Sequence, residues 1–207
     1  MTLDATEAGL HSVQGILDGE DSAFEKLTYG LLLSGLAMQM MGNSRPASGA
    51  EHHISHLIEM SPPALHVKSD ALHGEKVGVG TLLVLRKYKA LAAISTPTFE
   101  DYQSCSKELF LSLFGEDMTK ELIAENANDS ANGITAERLS HCWQDICREI
   151  TALPDADTLD AIYASFHVKR TLGDIDVSEE RMEDLLRYSH LVRNRLTLMR
   201  LAKCIHE

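Results

Sequence analysis

The sequence predicts an all-α, multi-helical bundle, and three observations predict it. Only 5% of the residues are aromatic, while alanine, leucine and glutamate are abundant, a balance that favours helices over sheets. Apolar residues recur at helical spacing in segment after segment, and no run alternates apolar and polar residues as a half-buried strand does. Prolines, glycines and capping residues punctuate these segments where helices begin and end. With 44% apolar residues in a chain of 207, residues 1–207 are read as one helical domain.

The first long helix is expected over 22–41, with Asp21 or Ser22 as its cap. It is amphipathic at Phe24, Leu27 and Leu31, then apolar all round to Met41, which predicts burial in the core. Gly42-Asn43 ends it as a left-handed cap. Pro46 makes Ser44 to Gly49 a turn, and a short helix follows over 51–59. Ser61-Pro62-Pro63 breaks the chain, with a loop to Leu72. A long helix runs over 73–94 with Gly74, Gly78 and Gly80 near its start. Three glycines there cost roughly 1 kcal/mol each relative to alanine, so the spacing predicts a backbone pressed against another element or a ligand. Pro97 marks the next boundary, and helices are expected over 99–114, 117–126, 135–150 and 155–166. Ser178 caps the last one, with Met182, Leu185 and Leu186 on its apolar face and a bend at 193–195. The chain shows no internal repeat.

The formal net charge of −12 repels polyanions, which argues against nucleic acid and an anionic membrane surface as partners. A small phosphorylated ligand remains compatible, since local cations and helix N-termini outweigh a diffuse field. Cys105, Cys142, Cys147 and Cys204 form no CxxC pair and are read as free thiols. Met1-Thr2-Leu3-Asp4 does not begin a signal peptide. The greasy run from Leu31 to Met41 is too short to span a bilayer, so a cytoplasmic protein is expected.

Chemistry concentrates in two segments, Ser44-Arg45-Pro46-Ala47-Ser48-Gly49-Ala50-Glu51-His52-His53-Ile54-Ser55-His56 and Leu72-His73-Gly74-Glu75-Lys76-Val77-Gly78-Val79-Gly80-Thr81. His52 and His56 lie four apart and share a helix face, while His53 points elsewhere. His73 opens the next long helix, so three imidazoles can converge on one divalent ion. Solvated or hydrogen-bonded histidines fit the spacing as well. A zinc protease motif is excluded, because His53 stands where H-E-x-x-H needs glutamate.

These two segments resemble the sn-glycerol-1-phosphate dehydrogenases, a branch of the iron-containing alcohol dehydrogenase and glycerol dehydrogenase superfamily. Val192-Arg193-Asn194-Arg195-Leu196-Thr197-Leu198 is similar to an Arg-x-Arg-x-Thr segment near that family's C-terminus. The motif core covers about 20–100 and the tail 192–207, with helical filler over 97–190. The resemblance implies the family's C-terminal metal-binding helical domain, of the dehydroquinate synthase-like and glycerol dehydrogenase-like fold. It implies His52 and His73 as metal ligands and His56 as a proton relay. The metal would be zinc or nickel, or iron, polarising dihydroxyacetone phosphate for hydride transfer from NAD(P)H to give glycerol 1-phosphate, an entry to phospholipid biosynthesis.

Ser44, Arg45 and Ser48 precede the His52 helix and suit a phosphate group, with Lys76 as a second cation. Arg45 equally suits shaping the turn and pairing with Glu51. The family's third ligand, an aspartate, has no counterpart here, and Gly78-Val79-Gly80 lies inside a helix rather than in a phosphate loop. A nucleotide-binding half is therefore expected outside these residues, and the chain alone is expected to be catalytically incomplete. The alternative is a non-catalytic helical module serving oligomerisation or partner binding. A dehydroquinate synthase-type cyclase is the lesser alternative, opposed by Ser-Arg-Pro-Ala-Ser-Gly. Loss of a covering domain would also favour a homo-oligomer.

Overall fold

Small residues decide how the first helices pack. In the computed structural model, which describes residues 2–207, α1 (Thr2–His11) and α2 (Val13–Leu17) lie against α3 (Asp21–Met41). The buried stripe of α3 is Ala23, Gly30 and Ala37, spaced one heptad apart so that they share a face. Gly42 adopts φ 67° and ends α3 as a left-handed cap, as expected. The expected burial of the greasy run fails. Leu31 is 66% exposed, Leu32 63% and Met40 77%, because α1 and α2 cover only one side of a helix that is apolar all round. The chain divides into two compact units, one ending at Gly49 and the other spanning Ala50–Glu207.

The second unit is built from α4 (Ala50–Met60), α5 (His73–Ala92), α6 (Lys107–Glu125), α7 (Ala136–Ala152), α8 (Ala156–Ser165), α9 (Met182–Tyr188) and α10 (Leu198–Leu201). Helix α6 breaks at Gly115, whose φ of 70° no other residue adopts cheaply. The hydroxyls of Ser106 and Thr135 cap α6 and α7 by accepting from Leu109 and Arg138 N–H groups. 3-10 turns of three residues (Glu179–Arg181) and four (Ser189–Val192) flank α9, so the expected last long helix is shorter and ends at Val192 with Arg193 extended.

The architecture is nearly all-α, with one departure. A helix from Phe99 is expected, yet Thr98–Phe99 form strand β1, paired antiparallel with β2 (Ile205–His206). Phe99 packs edge-on against Trp143, with ring centroids 5.5 Å apart. The Tyr102 N–H donates to the Ile134 carbonyl, and α6 begins only at Lys107. These partners stand far away in sequence, so local propensity carries no sign of them.

The main core joins Ile54, Leu57 and Ile58 of α4 to Val79, Leu83 and Val84 of α5, with Phe110, Phe114, Leu185, Leu191 and Met199 around them. Beside it Arg200 is 1% exposed. Its guanidinium donates to Asp129 Oδ1 at 3.0 Å, to Asn126 Oδ1 at 2.8 Å, and to the carbonyls of His190 and Arg193 at 2.6 Å each. A further bond of 3.1 Å runs from Nε to the Arg195 carbonyl. The hydroxyl of Tyr102 donates to Asp129 Oδ2. Burial works to raise the Asp129 carboxyl, but bonds from Ala131 N–H and Tyr102 and the Arg200 charge hold it below its ordinary value. All four cysteines are free thiols.

His190 and His53 are buried, and among the described residues His190 Nδ1 and both His53 ring nitrogens lack hydrogen-bond partners. Burial, reinforced by Arg200 and Lys203, pushes the His190 imidazole down to about 3. Burial also pushes His53 down to about 4.

Two outcomes follow from these buried groups. Arg200→Met leaves Asp129 and three carbonyls stranded, so equilibrium urea unfolding should show a loss of about 3–5 kcal/mol. For the histidines, the unfolded chain takes up a proton near pH 6.5 while the folded chain stays neutral down to about 4 and 3. The unfolded state then holds more protons, so stability is full above pH 6.5 and falls as the pH drops towards 4. Urea midpoints measured across pH 4–7 should show this limb, and His190→Asn should flatten it.

Candidate metal centre

The site begins with one close approach. A Cβ at Gly80 would lie 2.8 Å from the Glu51 carbonyl oxygen and 3.3 Å from Ile54 Cβ. Only glycine lets α5 come this near α4. Gly80 is thus the glycine that answers the expectation of a pressed backbone. Gly74 meets nothing within 4 Å, and Gly78 meets only the Tyr163 ring at ordinary distance.

Helix α4 divides its residues cleanly. His53, Ile54, Ser55, Leu57 and Ile58 are buried, while His52 and His56 are half-buried. His73 is the first residue of α5 and is exposed. The carboxylate of Glu75 fixes that helix start by accepting from the Leu72 N–H at 2.8 Å.

The three rings converge. His52 and His73 centroids stand 5.5 Å apart, His56 and His73 5.4 Å, and His52 and His56 6.4 Å. Three imidazoles bound through one nitrogen each to a tetrahedral ion place their centroids about 5 Å apart. The observed triangle is within about 1.5 Å of that arrangement on every edge. His53 is absent from the cluster, as its place on the helix requires.

Each ring is also held by a carboxylate. His52 Nδ1 lies 2.8 Å from Glu51 Oε1, His56 Nδ1 3.2 Å from Glu59 Oε2, and His73 Nδ1 2.8 Å from Glu59 Oε1. Imidazoles backed by carboxylates are the donor set of zinc and nickel sites, so the residues fit a borderline divalent cation. His56, Glu59 and His73 together offer three ligand atoms within 4.8 Å of one another. Burial holds His56 below its ordinary value, against the opposing pull of Glu59. Glu59 itself is held below its ordinary value, because bonds and charge from His73 and Lys76 outweigh its burial.

Lys76, read from the sequence as a cation for substrate, is buried, with its ammonium 3.4 Å from Glu59 Oε1. Ser44, Arg45 and Ser48 belong to the first unit, where Arg45–Ala47 form a single 3-10 turn and the Arg45 N–H donates to Asn43 Oδ1. Two residues of the neighbourhood, Glu59 and Ser55, were given no part in the site by the sequence reading, and a third, Arg193, entered it only within the Arg-x-Arg-x-Thr segment. Glu59 shares the His52–His56 face, three residues beyond His56, so helical spacing carried a signal for it. Ser55 lies 3.2 Å from His73 Nδ1 through its hydroxyl. Arg193 lines a cleft of about 490 Å³ with His56 and Glu59, placed there by the bond of its carbonyl to Arg200.

Fold and site together define a helical protein with a carboxylate-backed imidazole cluster suited to a divalent cation. No family model matches the chain, and no solved structure matches it. Curated relatives do. It is 30% identical over 180 residues to a glycerol-1-phosphate dehydrogenase [NAD(P)+] of Bacillus velezensis, covering 86% of this chain and 36% of the relative. A protein of the same name from Geobacillus stearothermophilus is 28% identical over 200 residues, covering 96% of this chain and 43% of the relative. A third, from Pyrococcus horikoshii, is 44% identical over 66 residues, covering 32% and 18%. The chain belongs to the glycerol-1-phosphate dehydrogenase family and corresponds to the C-terminal, helical part of these relatives. It spans well under half of their length. Among the described residues, no helix is long and apolar enough to cross a membrane.

Because the cluster depends on the α4–α5 approach, Gly80→Ala should destabilise the protein by about 1–3 kcal/mol through overpacking. Urea unfolding measures this, and histidine NMR shifts at positions 52, 56 and 73 should move with it. Gly74→Ala, whose Cβ would meet no neighbour, should leave the histidine shifts in place and cost no stability.

Proposed function

We propose that this chain is the metal- and substrate-binding part of an NAD(P)-dependent, glycerol-1-phosphate dehydrogenase-type oxidoreductase. The convergence of three imidazoles from two helices carries the reading, and the named relatives supply the reaction class. His52 and His73 hold the ion in this proposal. Zinc or nickel there, when bound, supplies Lewis acidity towards the carbonyl of dihydroxyacetone phosphate.

The chain's own residues then divide the work. His56, held below its ordinary value by burial, takes or gives a proton at Nε2, the nitrogen opposite its bond to Glu59. Ser44, Arg45 and Ser48 of the first unit offer hydroxyl, guanidinium and backbone N–H donors suited to a phosphate group. Lys76 is committed to Glu59, so Arg193, facing the cleft beside His56, takes the role of second cation. The nicotinamide nucleotide is bound by residues other than 1–207, and hydride transfer needs that complement. A second reading, a helical partner-binding or self-associating module, draws on the exposed apolar side chains of α3.

Elemental analysis of untagged protein, purified without chelator, separates the two. The dehydrogenase reading expects roughly one zinc or nickel per chain, lost in a His52→Ala/His73→Ala variant that stays folded. A metal-free wild type, or equal metal in the double variant, overturns it in favour of the module.

A further inference from the structure

Glu59 has no assigned role, yet it is the common partner of the cluster. It follows His52 by seven residues and His56 by three on α4, so all three project from one face. Its two oxygens are shared between two rings, Oε1 with His73 Nδ1 at 2.8 Å and Oε2 with His56 Nδ1 at 3.2 Å. The Ser55 hydroxyl donates to Oε1 at 3.4 Å, and the buried Lys76 ammonium stands 3.4 Å from the same oxygen. With Glu51 on His52 Nδ1, all three rings turn Nδ1 to a carboxylate. Nε2 is then the nitrogen each ring has left for other work.

An imidazole that donates Nδ1–H to a carboxylate is fixed in one tautomer and one orientation, with a more basic lone pair on Nε2. We propose that Glu59 is a positioning residue that holds His56 and His73 as Nδ1–H tautomers, presenting Nε2 of His73 to a divalent cation and Nε2 of His56 to the reacting group. Glu59 is not itself a ligand. A dication on Oε1 would face the Lys76 ammonium across that one oxygen, a like-charge opposition in a partly buried setting. Placed behind the rings instead, the carboxylate balances Lys76 and supports both imidazoles at once. This role rests on the metal reading proposed above.

The test uses the full chain, metal-stripped, with zinc or cobalt(II) alone as probe. Chelator competition should show zinc affinity falling 10–100-fold in Glu59→Gln, with the cobalt(II) visible bands keeping their positions and intensity. Long-range nitrogen NMR of metal-free wild type should show His56 and His73 protonated at Nδ1, and Glu59→Gln should lose that preference. If Glu59→Gln fails to fold because Lys76 loses its counter-charge, Glu59→Gln/Lys76→Met removes both charges and is measured in its place. A wild type that binds no zinc overturns the metal reading itself. A wild type that binds, with an unchanged Glu59→Gln affinity, overturns the positioning role alone. Weakened, shifted cobalt bands would make Glu59 a direct ligand and overturn it too, as would Nε2–H tautomers in the wild type.

Discussion

The contact between Gly80 and the Glu51 carbonyl sets the distance between α4 and α5, and the rest of the second unit is arranged around that distance. With the backbones this close, Ile54, Leu57 and Ile58 reach Val79, Leu83 and Val84 and form the centre of the core. The same approach brings His73, at the first turn of α5, opposite the His52–His56–Glu59 face of α4. Core and site are two sides of one helix pair. Burial of the apolar side supplies the free energy, roughly 25 cal/mol for each Å² removed from water, and the polar side inherits its geometry without needing strong interactions of its own.

Electrostatics around the site follow one pattern, in which the buried cations Arg200 and Lys76 each have a carboxylate partner. Arg200 faces Asp129 at 3.0 Å and Lys76 faces Glu59 at 3.4 Å. Such pairs add little net stability over apolar residues, yet removing one partner is strongly destabilising. Their value is positional. Arg200 gathers the carbonyls of His190, Arg193 and Arg195, which fixes the turn carrying Arg193 into the cleft beside His56. The chain is strongly acidic overall, with a net charge of −12. An anionic ligand must therefore be met by cations held in place, and Arg193 is one the fold delivers to that cleft.

The carboxylates of Glu51 and Glu59 give the imidazoles a direction as well as a place. A histidine cluster without such backing has rings free to rotate and to exchange tautomers, and it binds cations weakly and unselectively. Here each Nδ1 is occupied, so the chemistry available to the cluster lies on the Nε2 side.

Much of this was legible in the residues. Pro46, Pro62-Pro63 and Pro154 mark helix boundaries locally, and Gly42 and Thr135 end or begin helices by chemistry that depends on near neighbours alone. The i,i+4 spacing of His52 and His56 placed two imidazoles on one face, since helical geometry fixes that relation whatever surrounds it. Tertiary structure decided what depends on distant partners. The β1–β2 pairing joins Phe99 to Ile205, and no local pattern announces a strand of two residues. Apolar patterning made α3 look buried, but burial also requires a neighbour on each side, and among the described residues of the first unit α3 has helices on one side only. Arg200 became a hub because Asp129 and the 190–195 turn arrive beside it from elsewhere in the chain. Glu59 was visible as a face-mate of the histidines, but its partnership with His73 and Lys76 exists only because Gly80 lets a second helix come close.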